Sequence, residues 1–177
     1  MLNDKELRAA LIQWLNRKSV KPKKIVEELS VNNGFAIADV VAIYKEMHCF
    51  EIKGDHDKIE RIIKQGISYN LSFRKITLVT TLKHRDKALL LSPSHWGIII
   101  AKDVNGEVKF SYERKCKDNV GYSPIVALTT LWKSEMLEIL DKEKIHLLNK
   151  EKTRDMISLR ISNALDKCLL TWKGICV

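Results

Sequence analysis

The chain has 177 residues, a length that suits one domain with a buried core and a small additional element. It carries 31 Lys and Arg against 22 Asp and Glu, and the net charge of +9 favours a polyanionic partner. No apolar run reaches transmembrane length, and the four cysteines lack zinc-ligand spacing, which argues against a membrane protein and a zinc site. With no signal peptide, the sequence predicts a cytoplasmic protein with reduced thiols.

The first predicted elements are a helix and a strand. Asn3 or Asp4 can cap a helix that runs to about Asn16, and its apolar stripe consists of Leu7, Ala10, Leu11, Trp14 and Leu15. Pro22 prevents the helix from continuing. Residues 25–31 read as a strand that ends at the turn signal Asn32-Asn33-Gly34.

Residues 39–53 read as two short β-strands around a polar turn. The first strand, residues 40–44, is β-branched and aromatic, and the second, residues 48–53, alternates between polar and apolar side chains. The turn between them is predicted at residues 45–47. Because side chains alternate along a strand, the two strands form a hairpin with one charged and one apolar face.

Three charged side chains share one face of this hairpin. The predicted turn places Asp39 opposite Lys53 and Val41 opposite Glu51. Two carboxylates about 4 Å apart repel each other by roughly 4 kcal/mol at an effective dielectric of about 20, so the group needs a proton or a cation. Two carboxylates, the carbonyl of Ile52 and water suit Mg²⁺, which can polarise a phosphoryl oxygen and lower the pKa of bound water. The alternative is a solvated face with an incidental ion pair.

Helices and strands alternate in the next segment. The sequence predicts a helix from Asp55 or Asp57 to about Asn70, with Ile59, Ile62, Ile63 and Gly66 facing the sheet. Gln65 and Tyr69, four residues apart, lie on one face of that helix. The later elements are a strand at residues 75–81, a helix at 83–91, a strand at 97–102, a turn at 104–107 and an edge strand at 108–113.

Asp39, followed by Glu51-Ile52-Lys53 in an apolar strand and by Gln65-x-x-x-Tyr69 one helix later, resembles the motifs of the PD-(D/E)XK nuclease superfamily in its RecB-like variant. Ala38 stands where the motif has proline. The resemblance covers residues 1–113 and is closest to small bacterial members. It implies an α/β, restriction-endonuclease-like fold: a mixed sheet flanked by helices, here with a C-terminal helical subdomain.

The resemblance also implies a metal-dependent nuclease that hydrolyses phosphodiester bonds in DNA with Mg²⁺ or Mn²⁺. Asp39 and Glu51 would bind the metal, together with the backbone carbonyl of Ile52. Lys53 would orient the attacking water and stabilise the charge on the phosphate. The biological settings it suggests are DNA repair, recombination, and phage or mobile-element biology.

Gln65 and Tyr69 would, by the same resemblance, help to bind the DNA strand near the metal. The superfamily often places a further acid on the helix before the sheet, and Glu6 occupies that place in this sequence. Its other interpretation is a carboxylate that complements the helix dipole. Glu27 and Glu28 face opposite ways, so one of them can supply that acid, and the choice among the three glutamates stays open.

The C-terminal part is predicted to be helical. A basic loop, residues 114–120, separates the nuclease-like core (residues 1–120) from the helical subdomain (residues 121–177). Pro124 opens a helix to about Leu140, and Thr153 caps a last helix to about Thr171. We expect these helices to pack on the core as a cap. Guiding DNA, binding a partner protein and forming a homodimer are the alternatives.

Two other functions fit the same residues. One is a binding module, with the same fold and a dormant site, that holds nucleic acid by charge. The other is an interaction protein that docks on a larger complex through its helical tail. The intact Asp, Glu and Lys together favour the enzyme over both.

Overall fold

The computed structural model describes residues 1–165. The helices are α1 (Asp4–Asn16), α2 (Arg61–Ser72), α3 (Arg85–Leu91), α4 (Pro124–Leu128), α5 (Lys133–Lys142) and α6 (Arg154–Ala164). The strands are β1 (Lys24–Val31), β2 (Ala36–Ile43), β3 (Met47–Lys53), β4 (Lys75–Thr81), β5 (Gly97–Val104) and β6 (Glu107–Arg114). In this described part of the chain, no helix combines the length and the apolar character needed to cross a membrane.

The six strands form one open mixed sheet in the order of the sequence. Strands β3, β4 and β5 pair in parallel through crossovers that contain α2 and α3, whereas the other neighbouring pairs are antiparallel. Asn105 and Gly106, both with positive φ, form the predicted tight turn between β5 and β6. The expected mixed α/β sheet flanked by helices is therefore confirmed.

Helices cover both faces of the sheet. On one face α1 buries Leu7, Leu11 and Leu15 against an apolar cluster that includes Phe50 and Ile52. On the other face α2 and α3 cover a second cluster, which includes Ile59, Ile62, Tyr69, Trp96, Cys49 and Ile76. These two clusters hold α1 and α2 on opposite sides of β2 and β3.

Helix α2 differs from its predicted form in start and orientation. It begins at Arg61, because Asp57 accepts a hydrogen bond from the Gly54 amide (2.7 Å) in the preceding loop instead of capping the helix. Ile63 was expected to face the sheet, but 57% of it is exposed. Gly66 does face the core, and a Cβ there would lie 3.1 Å from the Trp96 ring.

The register of the β2–β3 hairpin is shifted by two residues from the predicted one. Ile43 pairs with Met47 and Val41 with Cys49, so the loop consists of residues 44–46. Met47 is buried and extends β3 by one residue, which explains the shift. Within the paired residues 40–43 and 47–50, a shift of two residues leaves the side chains on their predicted faces, because strand side chains alternate with a period of two.

The first residues of the chain lie against the end of β3. The Leu2 amide donates to the Asp55 carboxylate (2.8 Å), and the Asp55 amide donates to the Leu2 carbonyl (2.9 Å). Gly54 makes this approach possible, since a Cβ there would lie 2.9 Å from the Leu2 carbonyl oxygen. The start of α1 is thereby fixed beside Lys53.

The predicted helix from Pro124 to Leu140 is two helices, α4 and α5. The Thr129 hydroxyl donates to the Val126 carbonyl (2.7 Å), and the break that follows exposes carbonyls that accept hydrogen bonds from Arg154. Helix α6 begins after the predicted Thr153 cap, whereas its predicted end at Thr171 lies outside the described residues.

Helices α4 to α6 share a small apolar cluster of their own, which includes Leu128, Leu131, Met136, Leu140, Ile157 and Ile161. They meet the sheet-bearing part through α4, which packs on α2, and through a hydrogen bond from Asn33 to Asp155 (3.0 Å). The predicted linker is attached to the core, because Asn119 donates to the carbonyls of Asn70 and Phe73. The boundary between residues 120 and 121 stays a prediction.

Candidate functional site

Five of the predicted site residues converge where β2, β3 and α2 meet. The fully buried Glu51 accepts a hydrogen bond at Oε2 from the Tyr69 hydroxyl (2.6 Å) and one at Oε1 from Lys53 Nζ. Lys53 Nζ also donates to the Ile52 carbonyl (3.2 Å), and Gln65 Nε2 contacts the Tyr69 hydroxyl (3.3 Å). We call Asp39, Glu51, Lys53, Gln65 and Tyr69 the acidic cluster.

Asp39 joins the cluster where β2 separates from β3. The last backbone pair of the hairpin is Val40 with Phe50, and beyond it Asp39 Oδ2 accepts a hydrogen bond from the Ile52 amide (2.7 Å). Burial, followed by the charge of Glu51, raises the pKa of Asp39 to about 7. The raised pKa reflects the electrostatic cost of holding two carboxylates close together in a partly desolvated site.

This shift predicts how the stability of the metal-free protein depends on pH. An unfolded aspartate titrates near pH 3.9, so between about pH 4 and pH 7 the unfolded state releases a proton that the folded state keeps. The contribution of Asp39 is therefore complete below about pH 4 and is lost as the pH rises to 7, by on the order of 3–4 kcal/mol. Asp39→Asn keeps an oxygen for the Ile52 amide but does not titrate.

Urea unfolding of wild type and Asp39→Asn, measured without divalent metal across this pH range, tests the shift. The stability of the variant relative to wild type should increase steadily from about pH 4 to pH 7 and then level off. A difference that is the same at every pH would show that the pKa of Asp39 is close to its unfolded value.

Arg8 of α1 is a charged residue that the sequence analysis did not identify. Its guanidinium lies 3.0 Å from Asp4 Oδ2, 2.9 Å from Glu28 Oε1 and 3.6 Å from Asp39 Oδ1. Asp4 and Arg8 are spaced i, i+4 on α1, a pattern that is common on exposed helices. Only the position of α1 against β1 and β2 shows that this pair reaches the acidic cluster.

The structure assigns different roles to the three glutamates that were left open. Glu6 forms a capping box with Asn3: its carboxylate accepts from the Asn3 amide, and its amide donates to the Asn3 side chain, both at 2.9 Å. Glu6 therefore caps the N-terminus of α1, and we leave it out of the proposed site. Glu27 and Glu28 are both exposed, but Glu28, in a left-handed backbone conformation (φ 53°), is linked to Asp39 through Arg8.

Tyr69 and Gln65 occupy different environments, although both belong to the cluster. Tyr69 is fully buried, and its hydroxyl donor is shared between Glu51 and the Ile37 carbonyl (2.6 Å each). Burial and the charge of Glu51 raise the pKa of Tyr69 well above its usual value. Gln65 is half-buried, and its Oε1 is a buried oxygen without a protein partner in residues 1–165. Because Gln65 is only half-buried, its side-chain amide can meet a ligand, whereas Tyr69 acts by holding Glu51.

The donor atoms of the cluster fit a hard divalent cation. Asp39, Glu51 and the Ile52 carbonyl offer oxygen atoms. The Lys53 ammonium already donates to Glu51 and to the Ile52 carbonyl, so this position attracts a cation. With Asp39 ionised, the four carboxylates Asp4, Glu28, Asp39 and Glu51 exceed the two cations Arg8 and Lys53 by two charges. Within residues 1–165 no group of three or more His, Cys, Asp or Glu side chains is arranged for a metal, so carbonyl and water oxygens would complete the set.

Comparison with known proteins assigns the chain to a family. The profile of bacteriophage P4 protein cII matches residues 1–171. The chain belongs to the bacteriophage P4 protein cII family. Protein cII of Enterobacteria phage P4 is 29% identical over 163 residues, which cover 92% of this chain and 61% of the relative. The chain thus spans about three fifths of the length of that relative.

One solved structure has a similar fold. A protein of unknown function from Silicibacter pomeroyi superposes with a TM-score of 0.54 at 15% sequence identity. The match covers 85% of this chain and 99% of the other. At this identity the likeness concerns the fold alone.

Proposed function

We propose that this member of the P4 protein cII family is a metal-dependent nuclease that hydrolyses phosphodiester bonds in DNA at the acidic cluster. The observation that carries the proposal is the convergence of Asp39, Glu51, Lys53, Gln65 and Tyr69, which come from three separate elements. The segments that carry Asp39, Glu51-x-Lys53 and Gln65-x-x-x-Tyr69 are each separated by about twelve residues, so adjacency in the sequence does not bring them together. Their meeting supports the PD-(D/E)XK resemblance that each short motif suggests only weakly.

The residues have distinct tasks in the proposed reaction. Asp39, Glu51 and the Ile52 carbonyl would hold Mg²⁺ or Mn²⁺, which when bound supplies Lewis-acid stabilisation of the phosphate oxygens. Lys53, released from Glu51, would donate to the attacking water and to the charged phosphate. Gln65 would contact the DNA strand through its half-buried side-chain amide.

The setting of the proposed activity is a phage or mobile element, in keeping with the phage relative. The excess of basic residues supports DNA as the partner, because a net charge of +9 attracts polyanions. Action on DNA inside a bacterial cell would place the protein in the cytoplasm. A partner protein or a second copy bound to α4–α6 stays a prediction.

One observation favours the rival function, a dormant site that only binds nucleic acid. Both oxygens of Glu51 already accept hydrogen bonds inside the fold, from Lys53 and from Tyr69. If Lys53 never leaves Glu51, the cluster is a closed structural network. A cleavage experiment separates the two functions.

The purified protein with Mn²⁺ should nick or degrade labelled DNA, tested as single-stranded, double-stranded and branched substrates. Lys53→Met should lower the rate per folded molecule by about 10²–10³, the usual cost of removing one group that stabilises developing charge. The exposed Lys142 of α5 provides the control variant, Lys142→Met, which should cleave like wild type. Salt-sensitive binding without cleavage on all three substrates would instead support the dormant site.

A further inference from the structure

A second surface with the chemistry of nucleic-acid binding lies at the other end of α1. The Trp14 ring centroid lies 5.3 Å from that of Phe110 and 5.8 Å from that of Tyr112, both on the edge strand β6. Lys18 Nζ sits over the Trp14 ring (3.6 Å) and donates to the Tyr112 hydroxyl (2.8 Å). We call Trp14, Phe110, Tyr112 and Lys18, with the neighbouring Arg17 and Lys109, the aromatic-basic surface.

A groove between α1 and the β5–β6 hairpin borders these rings. Its volume is about 420 Å³, within the range of small-ligand sites, and its walls include Gln13, Trp14, Arg17, Lys109 and Phe110. Glu107 also lines it but forms an ion pair with Lys109, so its charge is compensated locally. The groove thus combines aromatic walls, an amide and a cation at its edge.

The accessible part of this surface is aromatic and positive. Tyr112 is 50% exposed on the edge strand, although its ring is already supported by Trp14. The chain continues from α1 into residues 17–24, which hold five Lys or Arg and no Asp or Glu. Cations that follow a nucleic-acid backbone, next to rings on which unpaired bases stack, are the two components of single-strand binding sites.

We propose that the aromatic-basic surface binds single-stranded DNA. Tyr112 stacks on an unpaired base, with Trp14 behind it, and Arg17 and Lys18 contact phosphates. A duplex does not satisfy these contacts equally, because its base faces are already stacked. An acidic protein segment would use the cations but has no need of the rings.

The position of the surface relates it to the acidic cluster without depending on cleavage. Arg8 and Trp14 are six residues apart on α1, and a helix rises about 1.5 Å per residue, so they are separated by about 9 Å along the helix axis. A strand bound at this surface would, if the proposed nuclease function is right, lead to the cleavage site.

The test is fluorescence anisotropy with a labelled short oligothymidylate, the full-length chain and EDTA, which prevents cleavage. Tyr112→Ala should weaken binding about five- to tenfold, as expected for one lost base stack. Tyr112→Phe, which keeps the ring and loses the hydroxyl, should bind within about twofold of wild type. Arg17→Gln should reduce the slope of log K against log salt by about 0.7, and Lys133→Gln on α5 should leave it unchanged.

Several outcomes would contradict the proposal that the aromatic-basic surface binds single-stranded DNA. These are equal binding by Tyr112→Ala and wild type, equal or tighter binding of a hairpin duplex, and Tyr112-dependent binding of polyglutamate in place of DNA. Loss of binding in Gln65→Ala but not in Tyr112→Ala would assign the DNA to the acidic cluster alone. Tyr112-dependent binding without any cleavage would retain the surface and reject the nuclease.

Discussion

Replacing Lys53 with methionine should lower the free energy of unfolding by about 3–5 kcal/mol in the absence of divalent metal. Methionine is similar in length and fills the space, so the loss comes from charge: Glu51 is fully buried and would lose its cation. Lys64, exposed on α2, provides the matched control, and Lys64→Met should change stability by less than about 0.5 kcal/mol.

Magnesium should restore much of this loss. A ligand that binds only the folded state at a hundred times its dissociation constant adds about 2.7 kcal/mol of stability. The gain should be larger in Lys53→Met than in wild type, because in wild type the ammonium occupies Glu51 and the Ile52 carbonyl. Urea unfolding with and without Mg²⁺ measures both effects. A magnesium response that persists in Glu51→Gln would reject Glu51 as a metal ligand.

Tyr69→Ala should destabilise the protein by about 3–5 kcal/mol, the usual cost of removing a large buried ring. Tyr69 is fully buried, and its ring centroid lies 6.2 Å from both Phe73 and Trp96. Thermal unfolding should therefore show a clear drop, at about 2–4 °C for each kcal/mol in a protein of this size.

The variant Tyr69→Phe isolates the hydroxyl. It should cost about 1–3 kcal/mol, because the buried Glu51 carboxylate and the Ile37 carbonyl lose their donor. Cleavage per folded molecule should fall about 10- to 100-fold, the usual effect of removing a group that orients a metal ligand. Gln65→Ala, at a half-buried position, should instead lower cleavage with a stability loss of about 1 kcal/mol or less. Unchanged activity in both would remove the pair from the site.

Periodicity in the sequence predicted the strands and their faces, but not the register of the hairpin. Alternation assigns Asp39, Glu51 and Lys53 to one face for any shift of two residues. Choosing the shift required knowing that Met47, a residue that fits a turn or a strand, is buried in β3. Helical periodicity was similarly ambiguous, and it wrongly predicted that Ile63 faces the sheet.

The contribution of α1 to the site had no local signal. Arg8 reads as half of an ordinary surface pair with Asp4, and Glu6 reads both as a cap and as an acid of the superfamily motif. The structure shows that Glu6 caps the helix, and that the start of α1 approaches β3 closely at Gly54, with Arg8 3.6 Å from Asp39. Such packing depends on contacts between residues about fifty positions apart.

Helix α2 and helix α1 differ in the kind of contact that each makes with the acidic cluster. Tyr69 anchors α2 from within the core, while Asn70 accepts a hydrogen bond from the Trp96 indole (2.8 Å) and α4 packs on the same helix. Helix α1 is also held by buried leucines, Leu7, Leu11 and Leu15, but towards the cluster it presents Arg8, whose ion pairs a competing cation or phosphate can exchange. Redesign of the ligand preference should therefore begin at Arg8, because its substitution leaves those leucines in place.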